Sequence, residues 1–509
     1  MTEISRRDFL KVAGVGLASA LAPGLLNLPA VESGKRPNII IILFDALSAS
    51  NLSLYGYPRL TTPNIDDFAL RCSVYHNHYS GGNFTTTGVA SMLTGMNAWK
   101  HRAINFGGLI NLDYMHINPY TILGDEYQRL AFSQNIWPDR LIGQFYKDVD
   151  RFLSPTSFSM LTPGSVGRGF ENDPMLTSIA LSEFLLASQG KAPTGSSLLG
   201  YIYKSVYLNA VGKQINDGYP KGVPEVQMSN GYIIPYLNEH IFDGLYSEIG
   251  SIAEDRSPYF AYFHLYSPHS PYRPHNYYKN FFKDGYRPVA KPIHFFSENT
   301  PEDVARTQRT LYDRQIVQID NEFGKLISRL SEDGVLDNSY LILTSDHGEL
   351  FERGYVGHGS QLMYEPVIRI PLLIHAPFQT KRQDFYSLSS NIDILPTLLS
   401  ITGKEVPAEV EGKVLPGLGG SVDKDRPIFS IIANENSAFE PLRKTVISMR
   451  KYNYKLIAYL GYEKYDHVYE LYDLESDPDE LYDLSSINFK KMTSLRDELL
   501  ANHHSFDKK

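Results

Sequence analysis

Pro37-Asn38-Ile39-Ile40-Ile41-Ile42-Leu43-Phe44-Asp45 is the stretch on which the fold turns. Residues 39–44 are all apolar, and four of them are isoleucine. A half-exposed strand alternates polar and apolar side chains. This one does not, so it predicts a central strand covered on both faces, as in a parallel sheet. It ends at a carboxylate, and α/β sheets hold their ligands beyond the C-terminal ends of their strands. Comparable runs recur at 259–265, 340–344 and 368–374. Between them, residues 302–330 carry a helical period, with Val304, Leu311, Ile319, Phe323, Ile327 and Leu330 able to share one face. Strands alternating with helices predict an α/β fold with a mostly parallel sheet.

The texture changes near residue 425. Short strand-like runs at 428–432, 445–449, 454–459 and 468–471 are separated by turns, and a polar helical tail follows. This predicts a small C-terminal α+β subdomain over 425–509, an antiparallel sheet plus a helix, packed on a main domain over 36–424. Residues from about 140 to 245 are rich in Gly, Ser and Tyr and weakly periodic. They are expected to be an insertion over the sheet edge.

Outside the fold, the first residues carry their own signal. Ser5-Arg6-Arg7-Asp8-Phe9-Leu10-Lys11 precedes a modest apolar run at 12–21 that is too short to span a bilayer comfortably. This order predicts a twin-arginine signal segment over 1–30, with the twin-arginine export machinery as a partner. The expected location is periplasmic, extracellular or at the cell surface. Ala18-Ser19-Ala20 fits a small-x-small cleavage site, and the membrane is a partner only if the segment is retained as an anchor. The twin-arginine route carries folded proteins, so a metal can be loaded before export. No second long apolar run appears, and the remainder is expected to be soluble.

Composition sets outer bounds. The chain has 509 residues, with 57 acidic against 48 basic, for a net charge of −9. That balance argues against nucleic acid or an anionic membrane as a partner, although a local site can still take an anionic substrate. The single cysteine, Cys72, excludes an internal disulfide and argues against a thiolate metal cluster.

Five segments can carry chemistry. Asp45 closes the first strand, and Asp346-His347-Gly348-Glu349 closes the run at 340–344. A lone aspartate after a strand is ordinarily a helix cap. The adjacent Asp346-His347 is harder to explain that way, and with Asp45 it offers two carboxylates and an imidazole for one divalent metal. Gly348 is expected to let the backbone turn so that both preceding side chains face the ion. Asn83-Phe84-Thr85-Thr86-Thr87-Gly88 runs into a small-residue helix, which places Thr85 near a helix N-terminus that favours an alkoxide or an anion. Taken alone, Thr85 reads as an N-cap. His269, in Pro268-His269-Ser270-Pro271, and His358, in Gly357-His358-Gly359, follow strand ends and are candidate site residues. Glu349 and Asp320 are open between a support role and a capping or solvated one.

Together these segments resemble the sulfatase-like branch of the alkaline phosphatase superfamily, over nearly the whole mature chain. The matching pieces run in order from Pro37 through Asp45, Asn51-Leu52-Ser53-Leu54-Tyr55-Gly56, Thr62-Pro63-Asn64-Ile65-Asp66, the segment from Thr85 to Gly95, the element at His269, and Asp346-His347-Gly348. Tyr364-Glu365, Arg369-Ile370-Pro371, Ile392-Asp393-Ile394-Leu395-Pro396-Thr397 and Glu470-Leu471-Tyr472-Asp473-Leu474 complete the series. The resemblance implies a doubly wound sheet flanked by helices, with a small C-terminal antiparallel sheet. It implies metal ligands at Asp45, Thr85, Asp346 and His347, and substrate or leaving-group contacts at His269 and His358.

The chain also departs from true sulfatases. Their Cys/Ser-x-Pro-x-Arg signature aligns its first position with Thr85, its Pro with Thr87 and its Arg with Val89. Threonine cannot become formylglycine. Phe44-Asp45 replaces the paired aspartates of the calcium-type site, and His347 stands where that site often has Asn. The donor set suits one Zn²⁺ or Mn²⁺ ion better than Ca²⁺. No extra Asp precedes His269, which argues against a second metal. A formylglycine hydrate expels sulfate with its own second hydroxyl, and threonine has none. A phosphothreonine, by contrast, can be resolved by in-line attack at phosphorus. The expected function is therefore a metal-dependent hydrolase or transferase acting on phosphate mono- or diesters or phosphonate esters through a covalent Thr85 intermediate. Its substrate would be a small-molecule, glycan or lipid-headgroup ester. The alternatives are a sulfuric ester hydrolase working without formylglycine, and a non-enzymatic surface-binding protein with a decayed site.

Overall fold

A computed structural model describes residues 36–160, 215, 217–227, 233–254 and 257–506. The expected export segment, 1–30, and much of the expected insertion at 140–245 lie outside the described residues.

Sixteen strands are described: β1 (Asn38–Phe44), β2 (Ser73–Tyr79), β3 (Gln128–Ser133), β4 (Arg151–Leu153), β5 (Glu225–Gln227), β6 (Ile233–Pro235), β7 (Tyr259–Leu265), β8 (Ser339–Ser345), β9 (Leu350–Glu352), β10 (Tyr355–Gly357), β11 (Leu372–His375), β12 (Gln383–Ser390), β13 (Ile428–Ile432), β14 (Thr445–Lys451), β15 (Tyr454–Leu460) and β16 (Val468–Asp473). Eight of them form the main sheet, in the order β12-β2-β11-β8-β1-β7-β3-β4. β1 is central and pairs in parallel with β7 and β8, as its unbroken apolar run predicts. Its alternate residues feed two cores. Ile40, Ile42 and Phe44 pack against the Asn238–Ala253 and Glu302–Glu332 helices. Ile39, Ile41 and Leu43 pack against the Thr85–Thr94 and Ile394–Ile401 helices. Burying each such side chain stabilises the fold by roughly 1.5–3 kcal/mol.

Two expectations need adjustment. The run at 368–374 is not one strand: Glu365–Ile368 is a short helix and only Leu372–His375 is β11. β11 runs antiparallel to both β8 and β2, and it is the one reversed strand of this sheet. After β8 the chain stays at the ligand end of the sheet through β9, β10 and the short helix. It returns without a crossover, so the next strand must run backwards. On the Glu302–Glu332 helix, Val304 is 42% exposed, and the buried stripe starts at Ala305 and continues through Tyr312, Ile316 and Phe323.

β13 to β16 form a separate four-stranded antiparallel sheet. One face holds Met492, Leu495 and Leu499 of the Phe489–Phe506 helix. The other packs Ile432, Val446 and Tyr459 against Tyr79, Phe84 and Tyr364 of the main body. Glu470 of β16 lies buried at this junction. One of its oxygens accepts from Tyr459 (3.0 Å) and His294 (3.3 Å), and the other from Tyr364 and Tyr472, both at 2.7 Å. Among the described residues no helix is long and apolar enough to cross a membrane.

Candidate active site

Four adjacent strands, β8, β1, β7 and β3, deliver residues to one end of the sheet, beyond their C-termini. Asp45 follows β1. The next residue, Ala46, has a left-handed φ of 60°, a conformation that costs energy in a residue with a Cβ. That turn aims the Ala46 N–H at Asp346 Oδ1 (3.0 Å), and the His347 N–H meets the same oxygen at 2.9 Å. Asp346 Oδ2 is left with no hydrogen-bond partner. Asp45 is treated in the same way. Its Oδ2 accepts from Asn135 Nδ2 (2.6 Å) and lies 3.2 Å from His264 Nε2, while Oδ1 has no partner.

Both carboxylates are fully buried, so an unpaired oxygen on each is costly unless something else satisfies it. His347 supplies the third element. Its Nδ1 lies 2.9 Å from the Gly348 carbonyl, which fixes the proton there and turns the Nε2 lone pair inward. That Nε2 is 3.6 Å from Asp45 Oδ1 and 3.5 Å from Asp346 Oδ2, and the three ligand atoms all lie within 4.8 Å of one another. Two single carboxylate oxygens and a neutral imidazole nitrogen fit one divalent cation with mixed N/O ligation. Electrostatics agree. Burial opposes ionisation of Asp45, but His269, His264 and His347 together hold it well below the ordinary carboxylate range. Burial, then the Asp45 charge, pushes Asp346 up. Burial, then the neighbouring His358, pushes His347 far down, so it is neutral and ready to ligate.

Thr85 is the first residue of the Thr85–Thr94 helix. The N-cap is Phe84, which makes no side-chain capping bond, so Thr85 is not the cap that its sequence position alone suggests. Its hydroxyl points instead to His347 Nε2 (3.3 Å), with Asn135 Nδ2 at 3.5 Å. Gly88 explains how the helix comes so close: a Cβ there would sit 2.2 Å from the Asp346 carbonyl oxygen. Gly348 serves a related purpose. It has no left-handed φ, so the expected sharp turn is not its reason. A Cβ would meet the Pro366 carbonyl at 2.2 Å.

His358 and His269 extend the site outward. The His358 ring lies 4.2 Å from that of His347, and the His269 ring 4.8 Å from that of His358. Their electrostatic settings differ. His358 Nδ1 is 2.8 Å from Glu349 Oε1, and although burial opposes protonation, the Glu349 charge and hydrogen bond raise its pKa. His269 Nδ1 faces the Ser270 carbonyl at 2.6 Å, and burial lowers its pKa.

The structure thus gathers Asp45, Thr85, Asp346, His347, His269 and His358, all named from the sequence. Of the two residues left open, Glu349 supports His358. Asp320 instead receives the N–H groups of Asn64 and Ile65, a structural cap. Sequence reasoning missed Asn135 and His264. Both stand near C-terminal strand ends, and His264 is a polar side chain in the wholly buried run of β7, which was the available signal. Cys72 is buried and its thiol donates to the Phe68 carbonyl, outside the site.

Comparison with known proteins places the chain in a family. The Sulfatase family matches residues 37–119 and 193–404, and the N-sulphoglucosamine sulphohydrolase C-terminal family matches residues 352–508. An arylsulfatase of Clostridium perfringens is 24% identical over 479 residues, spanning 88% of this chain and 90% of the relative. The crystal structure of a phosphonate monoester hydrolase of Agrobacterium radiobacter superposes with a TM-score of 0.65 at 18% identity, covering 92% of this chain and 96% of that one. A structure solved with its substrate D-glucosamine-2-N,6-O-disulfate superposes at 0.63 and 19% identity, covering 93% and 100%. A doubly faced sheet, a buried carboxylate–imidazole cluster and a family match over more than half of the sequence lead to one conclusion: this chain belongs to the sulfatase family, hydrolases of the alkaline phosphatase superfamily that act on ester substrates.

Proposed function

We propose that this protein is an exported, metal-dependent hydrolase or transferase that cleaves phosphate mono- or diesters or phosphonate esters through a covalent intermediate on Thr85. The observation that carries the reading is the Thr85 hydroxyl, 3.3 Å from His347 Nε2 beside two unpaired carboxylate oxygens. A threonine at this point has no second hydroxyl with which to expel sulfate, whereas a phosphothreonine can be opened by attack at phosphorus. A divalent cation, Zn²⁺ or Mn²⁺ in preference to Ca²⁺, held by Asp45, Asp346, His347 and Thr85, would supply Lewis-acid charge that lowers the hydroxyl pKa and polarises a non-bridging oxygen.

The chain's own groups divide the remaining work. Thr85 Oγ1 gives up its proton to water and forms a bond to phosphorus as the bond to the leaving oxygen breaks. His358, kept protonated by Glu349 at Nδ1, gives its Nε2 proton to the leaving oxygen. His269 is the neutral ring of the pair. It takes a proton from the water, or from the acceptor alcohol in a transferase, that opens the phosphothreonine. The Thr85 oxygen regains a proton from water, and exchange with solvent resets both rings. Two imidazoles whose surroundings push their pKa values apart suit an acid and a base. The Ser5-Arg6-Arg7 motif supports export by the twin-arginine route to the periplasm, the exterior or the cell surface. A small-molecule, glycan or lipid-headgroup ester is the proposed substrate.

A second reading, sulfuric ester hydrolysis without formylglycine, is favoured by the family match and by the arylsulfatase relative. The purified protein should be assayed on p-nitrophenyl phosphate, bis-p-nitrophenyl phosphate, a p-nitrophenyl phosphonate monoester and p-nitrophenyl sulfate. Turnover of a phosphorus ester that Thr85→Ala abolishes is the expected result. Turnover of the sulfate ester alone would overturn it, and an unchanged rate in Thr85→Ala would remove the nucleophile.

A further inference from the structure

Tyr262 and His264 are two apart on β7, so they share one face of the sheet, and both are fully buried. His264 Nε2 lies 3.2 Å from Asp45 Oδ2, and His264 Nδ1 lies 3.0 Å from the Tyr262 hydroxyl. That nitrogen is the one hydrogen-bond partner of the Tyr262 hydroxyl among the described residues. A buried phenol that only accepted would leave its own proton without an acceptor, at a cost of about 1–3 kcal/mol. Tyr262 therefore donates to Nδ1. The imidazole proton then sits on Nε2, which donates to Asp45 Oδ2.

This direction has consequences. A protonated Nε2 cannot ligate a cation, and Asp346 Oδ2, at 3.9 Å, is beyond its hydrogen-bonding reach. What it does is occupy Asp45 Oδ2 together with Asn135 Nδ2, so that Oδ1 is the oxygen left facing His347. We propose that Tyr262 and His264 form a buried positioning relay that fixes Asp45 as a single-oxygen ligand. Tyr262 sets the tautomer, and His264 holds the carboxylate rotamer. Neither residue touches the reacting atoms. The inference rests on the cluster being a metal site, and not on whether phosphorus or sulfur esters are cleaved.

The test reads metal binding. The full chain is stripped with chelator and titrated with Zn²⁺ alone against a competing chromophoric chelator. His264→Ala should bind Zn²⁺ about 10–100-fold more weakly than the unsubstituted protein, as is usual when a partner of a ligand is removed. Tyr262→Phe should weaken binding by about tenfold, at the low end of that range. His264→Gln keeps an N–H donor near the Nε2 position and should recover most of the loss, with the absorption spectrum of the Co²⁺-loaded form unchanged. Unaltered Zn²⁺ affinity in both His264→Ala and Tyr262→Phe overturns the relay. His264→Gln as weak as His264→Ala, with an altered Co²⁺ spectrum, overturns it in favour of direct ligation. If His264→Ala does not fold, Tyr262→Phe, which keeps the imidazole in place, carries the test alone. An unsubstituted protein that binds no Zn²⁺ would instead remove the metal-site reading itself.

Discussion

Two buried carboxylate sites, the Asp45–Asp346 pair and Glu470, invite direct comparison. Glu470, at the junction with the C-terminal sheet, has donors on both oxygens: three tyrosine hydroxyls and an imidazole. Asp45 and Asp346 each have one oxygen saturated and one left bare. Burial opposes the charge on all three, and it is the donors around each that differ. A buried carboxylate with every oxygen met by the protein is a structural joint. A pair with one bare oxygen apiece, facing each other across an imidazole nitrogen, is a place for a cation. Ionisation instead sets Asp346 apart from the other two, because against the cost of burial the neighbouring histidines hold Asp45 below the ordinary carboxylate range. Burial opposes the charge on Glu470, yet His294, Tyr364 and Tyr472 bring its pKa down to about 2, whereas burial and the Asp45 charge drive Asp346 upward.

The contrast can be broken most severely at the joint. Glu470→Leu would leave three hydroxyls and an imidazole facing an apolar side chain. The expected loss is about 3–5 kcal/mol in urea unfolding, with or without bound metal. At the pair, the opposite sign is expected. Asp346→Asn keeps an oxygen for the Ala46 and His347 N–H groups and puts an amide where the bare oxygen stood. In chelator it should stabilise the protein by about 2 kcal/mol, because two buried like charges no longer face each other. In Zn²⁺ or Mn²⁺ that gain should reverse and turnover should disappear. Equal effects of chelator on both variants would erase the distinction.

Acid titration sharpens the same comparison. The folded Glu470 pKa lies below its unfolded value, so its contribution, about 3 kcal/mol, is present above the ordinary glutamate range and is lost as pH falls towards 2. Asp346 is raised, so the metal-free fold holds its proton longer than the unfolded chain does. Stability should therefore decline as pH rises from the ordinary aspartate value through the raised one. Chemical denaturation of the stripped protein across pH checks both slopes, and added metal should flatten only the second.

The smallest effect concerns the outer histidines. In the proposed mechanism His358 acts as the protonated acid, and because its pKa is raised, kcat/KM should fall as pH rises through that value. His269 acts there as the neutral base, and because burial lowers its pKa, the acid-side fall should lie at lower pH than for a free imidazole. Glu349→Gln removes the charge that holds the His358 proton. It should move the alkaline limb to lower pH by more than the acid limb, because Glu349 acts on His358 through both charge and a hydrogen bond and on His269 through charge alone. A profile that does not move would separate Glu349 from the acid.

Much of this site could be read before the fold was known, for a physical reason. Asp45 and Asp346-His347 lie at the ends of short, β-branched apolar runs that favour buried strands, and a strand end fixes where the next side chain sits. The β7 and β8 runs agree with the expected segments to within a residue at each end. The run at 368–374 was legible only in part. Apolar character alone could not tell a short buried helix followed by a strand from one longer strand, nor say that β11 would run in reverse. Asn135 escaped notice because it also caps a helix, accepting from the Trp137 N–H, which is the ordinary use of an asparagine there.

The sequence by itself determined the strand order of apolarity, the carboxylates at the strand ends, the threonine that opens the small-residue helix and the histidines beyond β7 and β10. Only the tertiary structure decided which oxygen of each carboxylate is left bare, which outer imidazole keeps a proton, and that Tyr262 and His264 stand beneath Asp45. Those outcomes depend on donors that arrive from distant parts of the chain, such as the Ala46 N–H on Asp346, 300 residues away. Local sequence carries burial and periodicity. The pairing of individual atoms exists only after the strands are brought side by side.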